Sequence, residues 1–118
     1  MSTAYSQYIP THERPVITAL ITALLDKGYK LAVYDGDEYV SKRTQKLTTI
    51  RPALGGTGED WLMVFDPVTK ERVGYFYLIY NNGSEGCPMI VIADYGWSSP
   101  KAEGDFESIW NTLDKRYD

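Results

Sequence analysis

One histidine, His12, and one cysteine, Cys87, are all that the chain offers as neutral-pH base, thiol nucleophile or soft metal ligand. His12 sits at the start of an apolar periodic stretch with no Ser or Cys beside it, so it reads as a solvated helix start rather than a general base. Cys87 stands in the turn Gly86-Cys87-Pro88, with no His or Lys nearby to activate its thiol. With no second cysteine, an intrachain disulfide is excluded. Among the carboxylates, Asp35-Gly36-Asp37-Glu38 has the outline of a cation loop, but the further ligands at odd positions and the closing Glu of a calcium loop do not follow. Hairpin turn chemistry accounts for it. Gly55-Gly56-Thr57-Gly58 lacks the Lys-Ser/Thr ending of a phosphate loop and leads into Glu59-Asp60, which would repel phosphate. Asp94 ends an apolar stretch beside Tyr95, Gly96 and Trp97, a place where strands do present functional carboxylates, with capping of the next loop as its structural alternative. No nucleophile, base and orienting group can be assembled from this stock. The expectation is a non-enzyme with no catalytic residue, no cofactor and no metal.

The elements that must position these groups follow from periodicity. Val16, Leu20 and Leu24 form one i, i+4 row and Ile17, Ile21 and Leu25 the adjacent one, which predicts a helix over 12–27, capped by Thr11, with Pro15 in its first turn and Gly28 ending it. Tyr29–Tyr34 and Glu38–Lys42 read as two strands joined by the Asp35-Gly36-Asp37 turn. Leu47 and Ile50, before Pro52, predict one or two turns of helix within 44–54. Three more strands follow at Trp61–Phe65, Arg72–Tyr80 and Met89–Tyr95, with turns at Asp66-Pro67 and over 81–86. A last helix from Ser99 or Pro100 carries Phe106, Ile109, Trp110, Leu113 and Tyr117 on one face. The expected architecture is therefore a single α+β domain over 1–118, with 1–10 as a loose arm. Its five-stranded antiparallel meander is flanked by N- and C-terminal amphipathic helices, with a short helix between strands two and three.

Two strands are apolar on both sides. Val73, Tyr75, Tyr77 and Ile79 alternate with Phe76, Leu78 and Tyr80, and Met89, Val91 and Ala93 with Ile90 and Ile92. A half-exposed antiparallel strand should alternate apolar with polar. Either the terminal helices cover both faces, or an aromatic surface is left for a partner. The ten Tyr, three Trp and three Phe bear on the same choice, since strand propensity and recognition surfaces both favour Tyr. Interface or ligand candidates on this reading are Tyr75, Tyr77, Tyr80, Tyr95, Trp97 and Asp94, with Asp35, Asp37, Glu38, Glu59 and Asp60 as acidic loop candidates. A net charge of −4 and the lack of a basic rim speak against stacking nucleic acid on the aromatic sheet. No basic segment followed by an apolar run opens the chain and no apolar stretch reaches membrane-span length, so the cytoplasm is the expected location.

The runs Tyr34-Asp35-Gly36-Asp37-Glu38-Tyr39, Val73-Gly74-Tyr75-Phe76-Tyr77-Leu78-Ile79-Tyr80-Asn81-Asn82-Gly83 and Val91-Ile92-Ala93-Asp94-Tyr95 resemble small uncharacterised accessory proteins of phage and prophage genomes. The resemblance spans about residues 29–95 and implies an accessory gene product, with no functional residue to carry over. Function is thus expected to be protein–protein interaction, with a host or phage protein or with a second copy of the chain as partner. The alternative is a counter-defence inhibitor. It would block a host protein with its acidic surface, or sequester a small nucleotide with Arg or Lys beside aromatics, for which Lys42, Arg43, Arg51 and Arg72 are the nearby stock.

Overall fold

Two apolar helical rows organise the molecule. Helix α1 (Arg14–Asp26) buries Val16, Ile17, Leu20, Ile21 and Leu24, and Gly28, at φ 94°, turns the chain out of it. In the computed structural model, which describes residues 5–117, the chain continues through β1 (Lys30–Tyr34), α2 (Leu47–Ala53), β2 (Glu59–Phe65), β3 (Arg72–Ile79), β4 (Ile92–Trp97) and α3 (Pro100–Tyr117). Short turns join β2 to β3, and a loop with one 3-10 turn (Pro88–Val91) joins β3 to β4. Ser99 caps α3, its Oγ accepting the N–H of Ala102 at 3.1 Å.

The result is an α+β fold with an antiparallel meander in the order β1-β2-β3-β4. It has four strands rather than five. The expected strand Glu38–Lys42 does run beside β1, where Val40 N–H donates to the Val33 carbonyl and Leu31 and Thr44 exchange two bonds. Between those points the Ser41 hydroxyl, not a backbone carbonyl, accepts the Val33 N–H at 3.0 Å, so the ladder is broken. The segment is an irregular cover on the outer edge of β1, which blunts that edge against stray pairing. The expected strand Met89–Tyr95 begins only at Ile92, because Pro88 opens a 3-10 turn that winds up Met89–Val91.

Helix placement also differs from a helix on each face. Both α1 and α3 pack on the same side of the sheet, where Leu31, Val33, Leu62, Val64, Phe76, Leu78 and Ile92 meet Val16, Leu20, Leu24, Phe106, Ile109 and Leu113 in one core. A bulge between Val64 and Phe65 sets one extra residue of β3 against β2 and lets Val73 join that core. Of the expected N-terminal arm, 1–4 lie outside the described residues, whereas Ile9 is fully buried and the Tyr5 hydroxyl lies 2.7 Å from the Thr18 hydroxyl.

One buried carboxyl group ties the start of α1 to the far end of β3. Glu13 is fully buried, accepting N–H bonds from Asn81 at 2.8 Å and Gly83 at 2.7 Å, while His12 Nε2 lies 2.6 Å from the Gly83 carbonyl oxygen. His12 is thus a structural tie rather than a solvated helix start. Replacing Glu13 by Ala strands the buried Gly83 N–H and deprives the part-buried Asn81 N–H of its acceptor. At about 1–3 kcal/mol for each orphaned donor, urea unfolding should show Glu13→Ala about 2–4 kcal/mol less stable than the wild type.

Candidate interaction face

Side chains alternate along strands, so one set of positions faces the helices and the other faces away. The outward set on β1 is Lys30, Ala32 and Tyr34, on β2 Glu59, Trp61, Met63 and Phe65, on β3 Arg72, Tyr75, Tyr77 and Ile79, and on β4 Asp94 and Gly96. No helix covers it. Ala32, Met63 and Phe65 form a second, smaller apolar cluster there, with Tyr34, Trp61 and Tyr75 half-buried against it.

The aromatic rings tile the surface across the strands. Trp61 and Tyr77 are cross-strand partners stacked at 4.4 Å and 14°, Tyr34 lies 6.0 Å from Trp61, and Tyr39 of the edge segment lies 5.1 Å from Tyr34. Such cross-strand aromatic pairs stabilise a sheet beyond the area they bury. Tyr75 lies over Gly96, where an added Cβ would sit 2.7 Å from the ring, so β4 needs glycine for the tile to lie flat. The Tyr77 hydroxyl donates to Glu59 Oε2, and the Tyr75 hydroxyl donates to Asp94 Oδ2 at 3.0 Å. These carboxylate bonds raise both phenols above their ordinary range, keeping each a neutral donor.

Charge on this face is sorted by end. β1 and β3 start at the end where β2 and β4 stop, so Lys30, Phe65 and Arg72 gather there, together with Lys70 in the β2–β3 turn. Arg43 lies over the Phe65 ring at 3.9 Å and donates to the Lys70 carbonyl, while Lys42 lines an open hollow beside it. The opposite end carries Glu59 and the Asp35, Asp37 and Glu38 of the turn after β1, with Asp94 nearby on β4. Six strand steps of about 3.3 Å separate the ends by roughly 20 Å. That exceeds the ~8 Å screening length at physiological salt, so they do not neutralise each other within one molecule.

The sequence candidates are thereby divided. Tyr75, Tyr77, Asp94 and Glu59 share the open face. Asp35 shapes the turn, its Oδ1 accepting the N–H groups of Asp37 and Glu38 at 2.9 Å each; those bonds, that of Glu38 foremost, hold its carboxyl below the usual range. Asp37 and Glu38 are exposed. Tyr95 lies on the helix side, stacked between Phe76 at 5.2 Å and Trp110 at 5.4 Å, with Trp97 beside it at the strand end. Tyr80 and Asp60 are buried, the Tyr80 hydroxyl donating to Asp60 Oδ2 at 2.6 Å. Tyr34, Trp61, Met63 and Phe65 were not singled out by sequence, although the run Trp61–Phe65 is as two-sidedly apolar as β3; of the basic end, Lys42, Arg43 and Arg72 were named only as cations available to a nucleotide. Among the described residues no group of three or more His, Cys, Asp or Glu side chains is placed to hold a metal, and no helix is long and apolar enough to cross a membrane.

Comparison with protein-family models, with curated proteins and with solved structures finds no match to this chain.

Asp60 is a correction with a measurable consequence. Its Oδ2 also accepts the Gly55 N–H at 2.9 Å, but Oδ1 is buried with no hydrogen-bond partner. Burial raises the Asp60 carboxyl above its ordinary value of 3.8, although the bonds from Tyr80 and Gly55 oppose this. The folded state therefore favours the protonated form. Stability from this group is fully present below the unfolded value and is lost as pH rises through the raised one. Urea unfolding between about pH 3.5 and about pH 7 should show the wild type losing stability relative to Asp60→Asn as pH rises. Parallel pH curves would contradict it.

Proposed function

We propose that this chain is a non-catalytic interaction module whose open sheet face pairs with the same face of a second copy. The observation that carries this reading is that a sheet face no helix covers, with Tyr34, Trp61, Tyr75 and Tyr77 part-exposed around the buried Ala32, Met63 and Phe65, bears acidic groups at one end and basic groups at the other. Two such faces stacked about a two-fold axis across the strands place acid over base at both ends. An axis along the strands would set like on like, so charge selects the antiparallel arrangement. The Tyr75 and Tyr77 hydroxyls already have carboxylate partners on the face, so neither is stranded on burial.

Size sets the strength. Four strands about 4.8 Å apart and some 20 Å long offer a footprint of roughly 400 Å² per copy. A total near 800 Å² falls below the roughly 1,200–2,000 Å² of specific stable interfaces and in the range of weak, transient encounters. The pairing is weak and dynamic, so a partner with a similar aromatic face and charge order could exchange for the second copy. An accessory protein of the phage or prophage kind that the strand and turn sequences resemble would use such exchange to engage a host or phage protein.

Sedimentation velocity over a concentration series tests the pairing. The wild type should show a monomer–dimer equilibrium with a Kd of roughly 1–100 µM, weakening as salt is raised. Arg72→Glu, which puts a carboxylate at the basic end, should weaken it by about tenfold or more. A monomer at every concentration up to about 1 mM, or an unchanged Kd for Arg72→Glu, would overturn the reading.

A further inference from the structure

On the opposite side of the molecule, α1 and α3 enclose a groove of about 970 Å³ that the sheet face does not touch. That volume lies at the upper end of the roughly 300–1,000 Å³ typical of small-molecule sites. The helices run antiparallel: Lys27 at the end of α1 pairs with Asp105 early in α3 at 3.9 Å, so the last turn of α3 returns beside the first turn of α1. This brings Arg116 and Tyr117 to Arg14, and α2 contributes Arg51 to the same lining.

In a chain with 16 acidic residues and a net charge of −4, these three guanidinium groups make no ion pair among the described residues. Across the groove lining the cations are Arg14, Lys27, Arg51 and Arg116, against one carboxylate, Asp26. Arg51 Nε is buried and has no hydrogen-bond partner among the described residues, while the rest of its guanidinium, 5.7 Å from the Tyr5 ring, serves the Tyr5 hydroxyl. A buried, unsatisfied guanidinium donor in an open groove is costly unless an anion reaches it. Arg14 is braced by its bonds to the Ile9 and Ser6 carbonyls at 2.9 and 3.2 Å, which fix its charge at the groove.

The rest of the lining narrows the anion. The apolar lining comes from Ala19, Ala23, Ile109 and Leu113, joined by Tyr5 and Tyr117 and by the hydroxyls of Thr22 and Ser108; the Thr18 hydroxyl is already shared with Tyr5, and that of Thr112 donates to the Ser108 carbonyl. Guanidinium groups match phosphate oxygens in two-point contacts. Aromatic rings and small apolar side chains suit a base, and hydroxyls suit a ribose. We propose that the α1–α3 groove binds a nucleotide, its phosphate held by Arg51, Arg116 and Arg14 and its base laid along the apolar seam.

Calorimetric titration of the full chain at low ionic strength tests this, with the four ribonucleoside 5′-monophosphates, ATP and GTP as probes, and adenosine and inorganic phosphate as controls. At least one nucleotide should bind with a Kd below about 1 mM, and both controls at least about tenfold more weakly. Arg116 is exposed, so Arg116→Gln should keep the wild-type melting temperature while losing about tenfold in nucleotide affinity. Arg72→Glu, on the other side of the molecule, should bind nucleotide as the wild type does, so this site and the sheet face can fail separately. No binding by any nucleotide at about 1 mM would overturn the proposal. So would inorganic phosphate binding as tightly as the nucleotides, or Arg116→Gln binding unchanged.

Discussion

Both long helices bury their apolar stripes against the same side of a four-stranded sheet, and that one-sided layering governs the rest of the molecule. Two helices, each about 10 Å across, span a sheet of four strands about 4.8 Å apart, so one layer is complete and none is left for the second face. Yet β2 and β3 are apolar on both sides. The molecule deals with the uncovered side by packing aromatic rings onto one another, Trp61 on Tyr77 and Tyr34 on Trp61, and by laying Arg43 over Phe65. Tyr34, Trp61, Tyr75 and Tyr77 remain part-exposed, which distinguishes this face from a second core.

The loops that frame the sheet are pinned by polar groups taken out of water. Glu13 holds the turn after β3, and Asp60, with Tyr80, holds the loop before β2 at Gly55. The Asp60 oxygen without a donor shows that the second clamp is bought at a cost in desolvation. With these ends fixed, charge stays sorted along the strands on one side, and the arginines of α1, α2 and α3 stay gathered on the other. A modest net charge of −4 thus conceals two surfaces of very different electrostatic character.

The helices were legible because their apolar rows repeat at 3.6 residues and end at strong signals, Gly28 and Ser99. So were the turns at Asp35 and Asp66, where the carboxylate accepts the N–H groups that the sequence pattern implies. One expected strand is lost and another is shortened, each by a local feature. Ser41 substitutes a side chain for a backbone acceptor, and Pro88 forces a 3-10 turn, neither of which composition reveals. Alternation separated Tyr75 and Tyr77 from Phe76 and Leu78 correctly. It could not say on which side the helices would settle, so Tyr95 and Trp97 were grouped with residues on the opposite face. Of the groove arginines, Arg51 was named by sequence among the cations for a nucleotide, but with the wrong companions: Arg14 and Arg116 line the same groove only because α3 folds back antiparallel to α1.

Whether the aromatic face is open in the single molecule and covered in the pair can be measured residue by residue. Hydroxyl-radical footprinting at dilute and concentrated protein reads it directly, with Tyr8 and Trp97, 74% and 42% exposed and off that face, as internal references. Trp61, Tyr75 and Tyr77 should be modified in dilute solution and protected when concentrated, while Tyr8 and Trp97 react equally in both. Equal modification of all five at both concentrations, or protection of the three even when dilute, would contradict an open pairing face.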